Sequence, residues 1–141
     1  MLSEKELHSY IAMRKWILSV LAIIFLVAQS WATDLYDQIV KYIKDLNTKE
    51  LSSLFDQTVE IIIEDREGYY GKTQAEIIIR NFLIKNRPSN FIIVHKGNPN
   101  DGLTYSIGLL TTEDGNKYRT YFLMKQKSGK PCIQQLKFEL E

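Results

Sequence analysis

From Ser89 to Glu141 the chain reads as strand and turn, and the segments that read as helix all lie before it. Residues 91–96 form one strand-like run, closed by the loop signal Gly97-Asn98-Pro99-Asn100-Asp101-Gly102. Residues 104–112 and 118–125 predict a hairpin around Glu113-Asp114-Gly115-Asn116, because Asp-Gly favours a turn with positive φ. Lys127-Ser128-Gly129-Lys130 then turns the chain into a last strand. Alternation there predicts Cys132, Gln134, Leu136, Phe138 and Leu140 on one face, with Gln135, Lys137, Glu139 and Glu141 on the other. Helices grouped early and an antiparallel sheet grouped late define an α+β pattern.

Residues 34–46 place Leu35, Ile39, Ile43 and Leu46 at helical spacing, an amphipathic first helix. Asn47 or Thr48 then caps a short helix over 49–55, with Glu50 completing a capping box. Residues 58–64 alternate, with Val59, Ile61 and Ile63 on one side, and predict a half-buried strand. Residues 65–72 read as a loop containing Gly68 and Gly71 around Tyr69-Tyr70. Thr73-Gln74-Ala75-Glu76 reads as a second capping box, opening a helix to about Asn86 that Pro88 stops. The predicted order is α-α-β-α-β-β-β-β.

Ahead of this domain lies Met13 to Ala32, MRKWILSVLAIIFLVAQSWA, which reads as a secretory signal peptide. Arg14 and Lys15 supply its positive end, Ile17 to Ala28 its apolar run, and Ser30-Trp31-Ala32 its small-residue cleavage site. An uncleaved membrane anchor is the alternative, because no charge falls between Trp16 and Thr33. Residues 1–12 fit no signal peptide, and Met13 offers a second start. The expected organisation is a leader over 1–32 and one domain over 33–141, exported to a periplasm or secreted. The domain carries 15 basic and 15 acidic residues, so no long-range charge draws it to nucleic acid or to a membrane after cleavage. Cys132 is its only cysteine, which excludes an intrachain disulfide and a cysteine-based metal site.

Three stretches carry a resemblance. Leu51-Ser-Ser-Leu-Phe-Asp-Gln-Thr-Val-Glu60 is similar to the passage from second helix to first strand of the nuclear transport factor two-like superfamily. Tyr70-Gly71-Lys72-Thr73-Gln74-Ala75-Glu76 resembles its Gly-led third helix, and the closing strands resemble its curved sheet. More narrowly, the chain resembles a family of exported bacterial domains with no assigned function. The resemblance implies a cystatin-like α+β cone with three N-terminal helices on a curved mixed or antiparallel sheet. It also implies a cavity at the open end, used by different members for catalysis, for ligand binding, or not at all. Fold alone does not choose among these.

Measured against the superfamily's ketosteroid isomerases, the site residues are missing. Tyr42 falls where the oxyanion-binding phenol would stand, but the position of the general base is Ile61, and residues 118–125 hold no acid. A lone tyrosine, with an ordinary pKa of about 10, does not abstract a carbon-bound proton at neutral pH. Tyr42 therefore reads as a packing residue. His95, the only histidine of the domain, alternates with Phe91 and Ile93 and is expected to point into the cone or to its rim. Tyr105 shares a face with Ile107 and Leu109, and Arg119 with Tyr121 and Leu123. Arg119 either binds an anionic group in the cone or pairs with Glu139 or Glu141. The candidate pocket is thus Tyr42, His95, Tyr105, Arg119 and Tyr121, with no metal and no cofactor implied. Both faces of the 104–124 hairpin carry large apolar residues, which fits a homodimer formed through the sheet. The leading reading is an exported non-enzymatic domain that binds a small molecule or a protein partner. A lyase or isomerase with His95 as base, and a purely structural dimerisation module, are the alternatives.

Overall fold

The computed structural model describes residues 3–6, 8–9, 11–14, 34–100 and 102–141. Two compact units divide the chain, residues 1–34 and 35–141. In the first, residues 4–6, 8–9 and 11–14 are helical. The expected signal segment lies outside the described residues, apart from Met13 and Arg14. Among the described residues no helix is long and apolar enough to cross a membrane.

The second unit opens with α1, Leu35–Lys44, whose apolar stripe buries Ile39 and Ile43 completely. Leu46 ends it at φ 56, and Asn47 caps α2, Thr48–Ser53, its side chain accepting the Glu50 amide at 3.4 Å. α2 feeds directly into β1, Phe55–Ile63. The predicted loop over 65–72 is instead a strand, β2 (Arg66–Gly71), antiparallel to β1 from Ile63↔Arg66 to Thr58↔Gly71. Its side chains stay half-buried or exposed, so the strand leaves no apolar alternation to read. The two-residue turn is Glu64-Asp65, with Glu64 at φ 57 and its amide donating to Phe138 O at 2.8 Å.

α3, Lys72–Lys85, starts one residue before its expected cap. Gly71 stands at the N-cap with no side-chain bond, so Thr73 caps nothing. Glu76 accepts instead from the Thr48 hydroxyl at 3.1 Å and ties α3 to α2. The Ile77-Ile78-Ile79 run is helical despite its β-propensity, because Ala75, Ile79, Phe82 and Leu83 give α3 a buried face.

Four strands follow, namely β3 (Pro88–Asn100), β4 (Leu103–Thr112), β5 (Lys117–Lys127) and β6 (Lys130–Leu140). The sheet order is β2-β1-β6-β5-β4-β3, antiparallel throughout except for the parallel pair β1 and β6. β3 runs through the predicted loop, with Gly97 opposite Tyr105 and Asn100 opposite Leu103. The α+β expectation therefore holds, with one more strand than the sequence suggested.

All three helices cover one face, called inner here. There Ile39, Ile43, Leu51, Ile79, Phe82 and Leu83 meet Phe91, Leu110, Phe122, Met124, Leu136 and Phe138. In β4 and β5 the inward residues are Ser106, Gly108, Leu110 and Thr112, and Tyr118, Thr120, Phe122 and Met124. Gly108 is required by a close approach, since a Cβ there would fall 2.5 Å from Phe91 Cζ. The predicted single face of β6 is broken by a bulge. Met124 pairs with Ile133 and Leu123 with Gln135, which leaves Gln134 extra and turns Ile133 inward in place of Cys132.

Candidate functional site

A cleft of about 520 Å³ opens between α3, the β1–β2 turn and the start of β5. Its apolar lining is Ile61, Ile63, Tyr70, Ile78, Phe82 and Tyr118. Alternation along β1 and β5 aims Ile61 and Tyr118 at the same space that α3 closes with Phe82. The Phe82 and Tyr118 rings meet edge to face at 5.2 Å, and Phe82 also touches Phe138 at 4.6 Å, so the floor is a packed aromatic group. Asn86, at the end of α3, gives the floor its polar point. Its Nδ2 donates to Phe82 O at 3.0 Å, which orients the amide, and Oδ1 accepts from the Tyr118 hydroxyl at 3.1 Å. Burial, and then the negative charge of Glu64, push the Tyr118 phenol above its usual range, so it stays protonated and a donor. Glu64 and Asp65 from the turn, Arg66 at the start of β2, and Asn81 and Lys85 from α3 form the charged and polar wall.

None of the five residues singled out in the sequence lines this cleft. Tyr42 is a half-buried residue of α1 packed against the core. The other four gather on the outer face of the sheet. His95 is there because β3 carries a bulge, in which Ile93 pairs with Gly108 and His95 with Ile107, so Val94 is extra and the alternation reverses. Phe91 and Ile93 face inward as expected, and His95 does not. Its Nε2 lies 3.0 Å from the Tyr105 hydroxyl, and the Tyr105 and Tyr121 rings stack at 5.8 Å. Arg119 is exposed beside Tyr121, opposite Glu139 across the strand pair, while Glu139 pairs with Lys137 at 3.0 Å. Arg119 thus reaches no cone interior, and His95 is not placed to act on anything held there. The cleft residues Tyr118 and Asn86 are not among the candidates that the sequence offers. The available signals were the alternation of Tyr118 with Thr120 and Phe122, and an Asn at the helix end ahead of Pro88.

The same outer face continues across β6, β1 and β2. Glu60 accepts from Gln135 and from Tyr69, and these bonds hold its carboxyl below the usual range. At the far end of the sheet, Asp56 binds Lys127 Nζ at 2.7 Å, the Gln57 amide at 2.7 Å and the bulged Gln134 at 3.5 Å. The lysine and the amide together lower its carboxyl to about 2. Among the described residues no group of three histidine, cysteine or carboxylate side chains converges as a metal site would.

Three helices on the inner face of a bulged six-stranded mixed sheet, with a cleft beside the third helix, give the fold of nuclear transport factor two-like domains. A designed chain of this type matches with 16% identity over 74% of this chain and 92% of that one, at a TM-score of 0.60. A cystatin-like domain of unknown function from Nostoc punctiforme matches with 9% identity over 74% and 71%, at 0.59. Within that class the chain belongs to the family described as Domain of unknown function (DUF4783), whose model spans residues 36–139. The crystal structure of a DUF4783 family protein from Bacteroides fragilis is similar over 77% of this chain and all of that one, with 26% identity and a TM-score of 0.70. No curated protein matches the chain.

Proposed function

We propose that this is an exported, non-catalytic domain that binds a small molecule in the cleft between α3 and the β1–β2 turn. The observation that carries the reading is the aromatic floor, Phe82 and Tyr118, with the Tyr118–Asn86 hydrogen bond fixed inside it. Such a site offers apolar burial for a ligand body and a few oriented polar groups for its orientation. The export half of the proposal rests on the residue pattern of Met13 to Ala32. Amide chemical-shift mapping with a mixture of small amphipathic fragments tests the site. Shifts are expected to converge on Phe82, Asn86 and Tyr118, and shifts confined to the outer sheet face would refute the assignment.

A second reading is favoured by a different observation. The outer face of β4 and β5 sets Tyr105, Ile107, Leu109, Tyr121 and Leu123 side by side, all half-buried, and no helix of this unit packs on them. Arg119 and Lys137 lie next to Glu139 and Glu60 around that patch. An apolar patch ringed by both charge signs is self-complementary, which supports association of two copies through the sheet.

A further inference from the structure

The charges around the cleft suggest which chemical class enters it. Glu64 and Asp65 stand on the β1–β2 turn, Arg66 follows them, and Lys85 stands across the cleft on the last turn of α3. The wall is thus two carboxylates and two cations, with no net charge. Among the described residues none of the four joins an ion pair, whereas Arg80, Lys127 and Lys137 each find a carboxylate within 4.0 Å. Charges of both signs that line one concavity without neutralising each other in pairs leave local fields open to a ligand.

A ligand with a single charge gains little from such a wall. An anion drawn to Arg66 and Lys85 meets Glu64 and Asp65, and a cation meets the reverse. A molecule carrying an ammonium and a carboxylate together gains both attractions, provided that its body is apolar enough for the Phe82–Tyr118 floor. Asn81 and the second Nδ2 hydrogen of Asn86 remain as further hydrogen-bond donors toward a carboxylate. The volume of about 520 Å³ suits a single small molecule rather than a polymer. Resting on the assignment of the cleft as a ligand site, we propose that it selects small zwitterions with an apolar side chain, the chemistry of an apolar α-amino acid or a dipeptide.

Titration of the full chain with L-phenylalanine, 3-phenylpropionate and 2-phenylethylamine, followed by amide chemical shifts, tests this. L-phenylalanine is expected to bind up to about 5-fold tighter than either singly charged analogue, the yield of one added exposed ion-pair contact. The exposed variants Glu64→Gln and Lys85→Met, which leave the floor intact, are expected to erase that preference. If a singly charged analogue binds the cleft as tightly as L-phenylalanine, the zwitterion assignment is overturned while the cleft stands. If L-phenylalanine shifts only residues outside the cleft, or none of the three compounds shifts cleft residues, the site assignment falls with it.

Discussion

Asp56 and Thr120 show how single side chains set measurable properties here. Asp56 has its carboxyl lowered to about 2 by Lys127 and the Gln57 amide, from an ordinary value of 3.8. A carboxyl lowered on folding adds stability that is fully present above its ordinary value and is lost as pH falls through the folded one. Asp56→Asn is therefore expected to cost up to about 1 kcal/mol at neutral pH, as for a partly solvated pair. In urea titrations from pH 7 to pH 2 the gap to the parent should close between about pH 4 and pH 2, and a gap independent of pH would contradict the pairing. Thr120 Oγ1 and Ser106 Oγ are buried without a hydrogen-bond partner. Thr120→Val keeps the shape and removes an unsatisfied group, so thermal melts should show a neutral effect or a gain of up to about 1 kcal/mol. The Cys132 thiol is pushed up by burial and by the Asp56 charge, so it should react slowly with thiol reagents at pH 8 in the folded protein and quickly once unfolded. At this scale the residue types were legible in the sequence, but their direction was not. One extra residue, Val94, puts His95 on the outer face, and the extra Gln134 turns Cys132 outward and Ile133 inward.

Elements were more legible than their ends. The helical spacing of Ile39 and Ile43, the Asn47 cap and the Asp114-Gly115 turn all appear where periodicity and turn chemistry place them. β2 was hidden because an edge strand with exposed side chains carries no burial pattern. The Thr73 box failed because Gly71, leaving β2 in extended geometry, is already the N-cap, and Glu76 is bound to Thr48. Asn47→Ala is expected to destabilise by about 1 kcal/mol through loss of the cap. Gly108→Ala should cost about 1–3 kcal/mol, since its methyl meets the buried Phe91 ring and the core cannot yield freely. Equilibrium unfolding of the two variants checks both, and a Gly108→Ala protein as stable as the parent would mean that Phe91 does not lie across β4.

Within residues 35–141 the sheet separates two surfaces. The inner face packs the helices and leaves the cleft at one end, while the outer face gathers His95, Tyr105, Arg119 and Tyr121. The candidate pocket Tyr42, His95, Tyr105, Arg119 and Tyr121 does not come together in the cleft, since four of these side chains share the outer face and Tyr42 packs on the core from α1; strand alternation fixes which residues share a face and not which face meets the helices. Self-association through the outer face is expected to weaken in Leu123→Arg, a change that leaves the inner core untouched. Sedimentation of the two proteins over a concentration series checks it, and an unchanged association would move the interface elsewhere. Ligand binding in the cleft is tested by native mass spectrometry of the protein purified from its own host, beside Ile78→Arg, which fills the cleft from α3. A small-molecule adduct is expected on the parent, and the variant should lack it while remaining folded. An adduct retained by the folded variant, or a parent that carries none under conditions that preserve weak ligands, would contradict binding in the cleft.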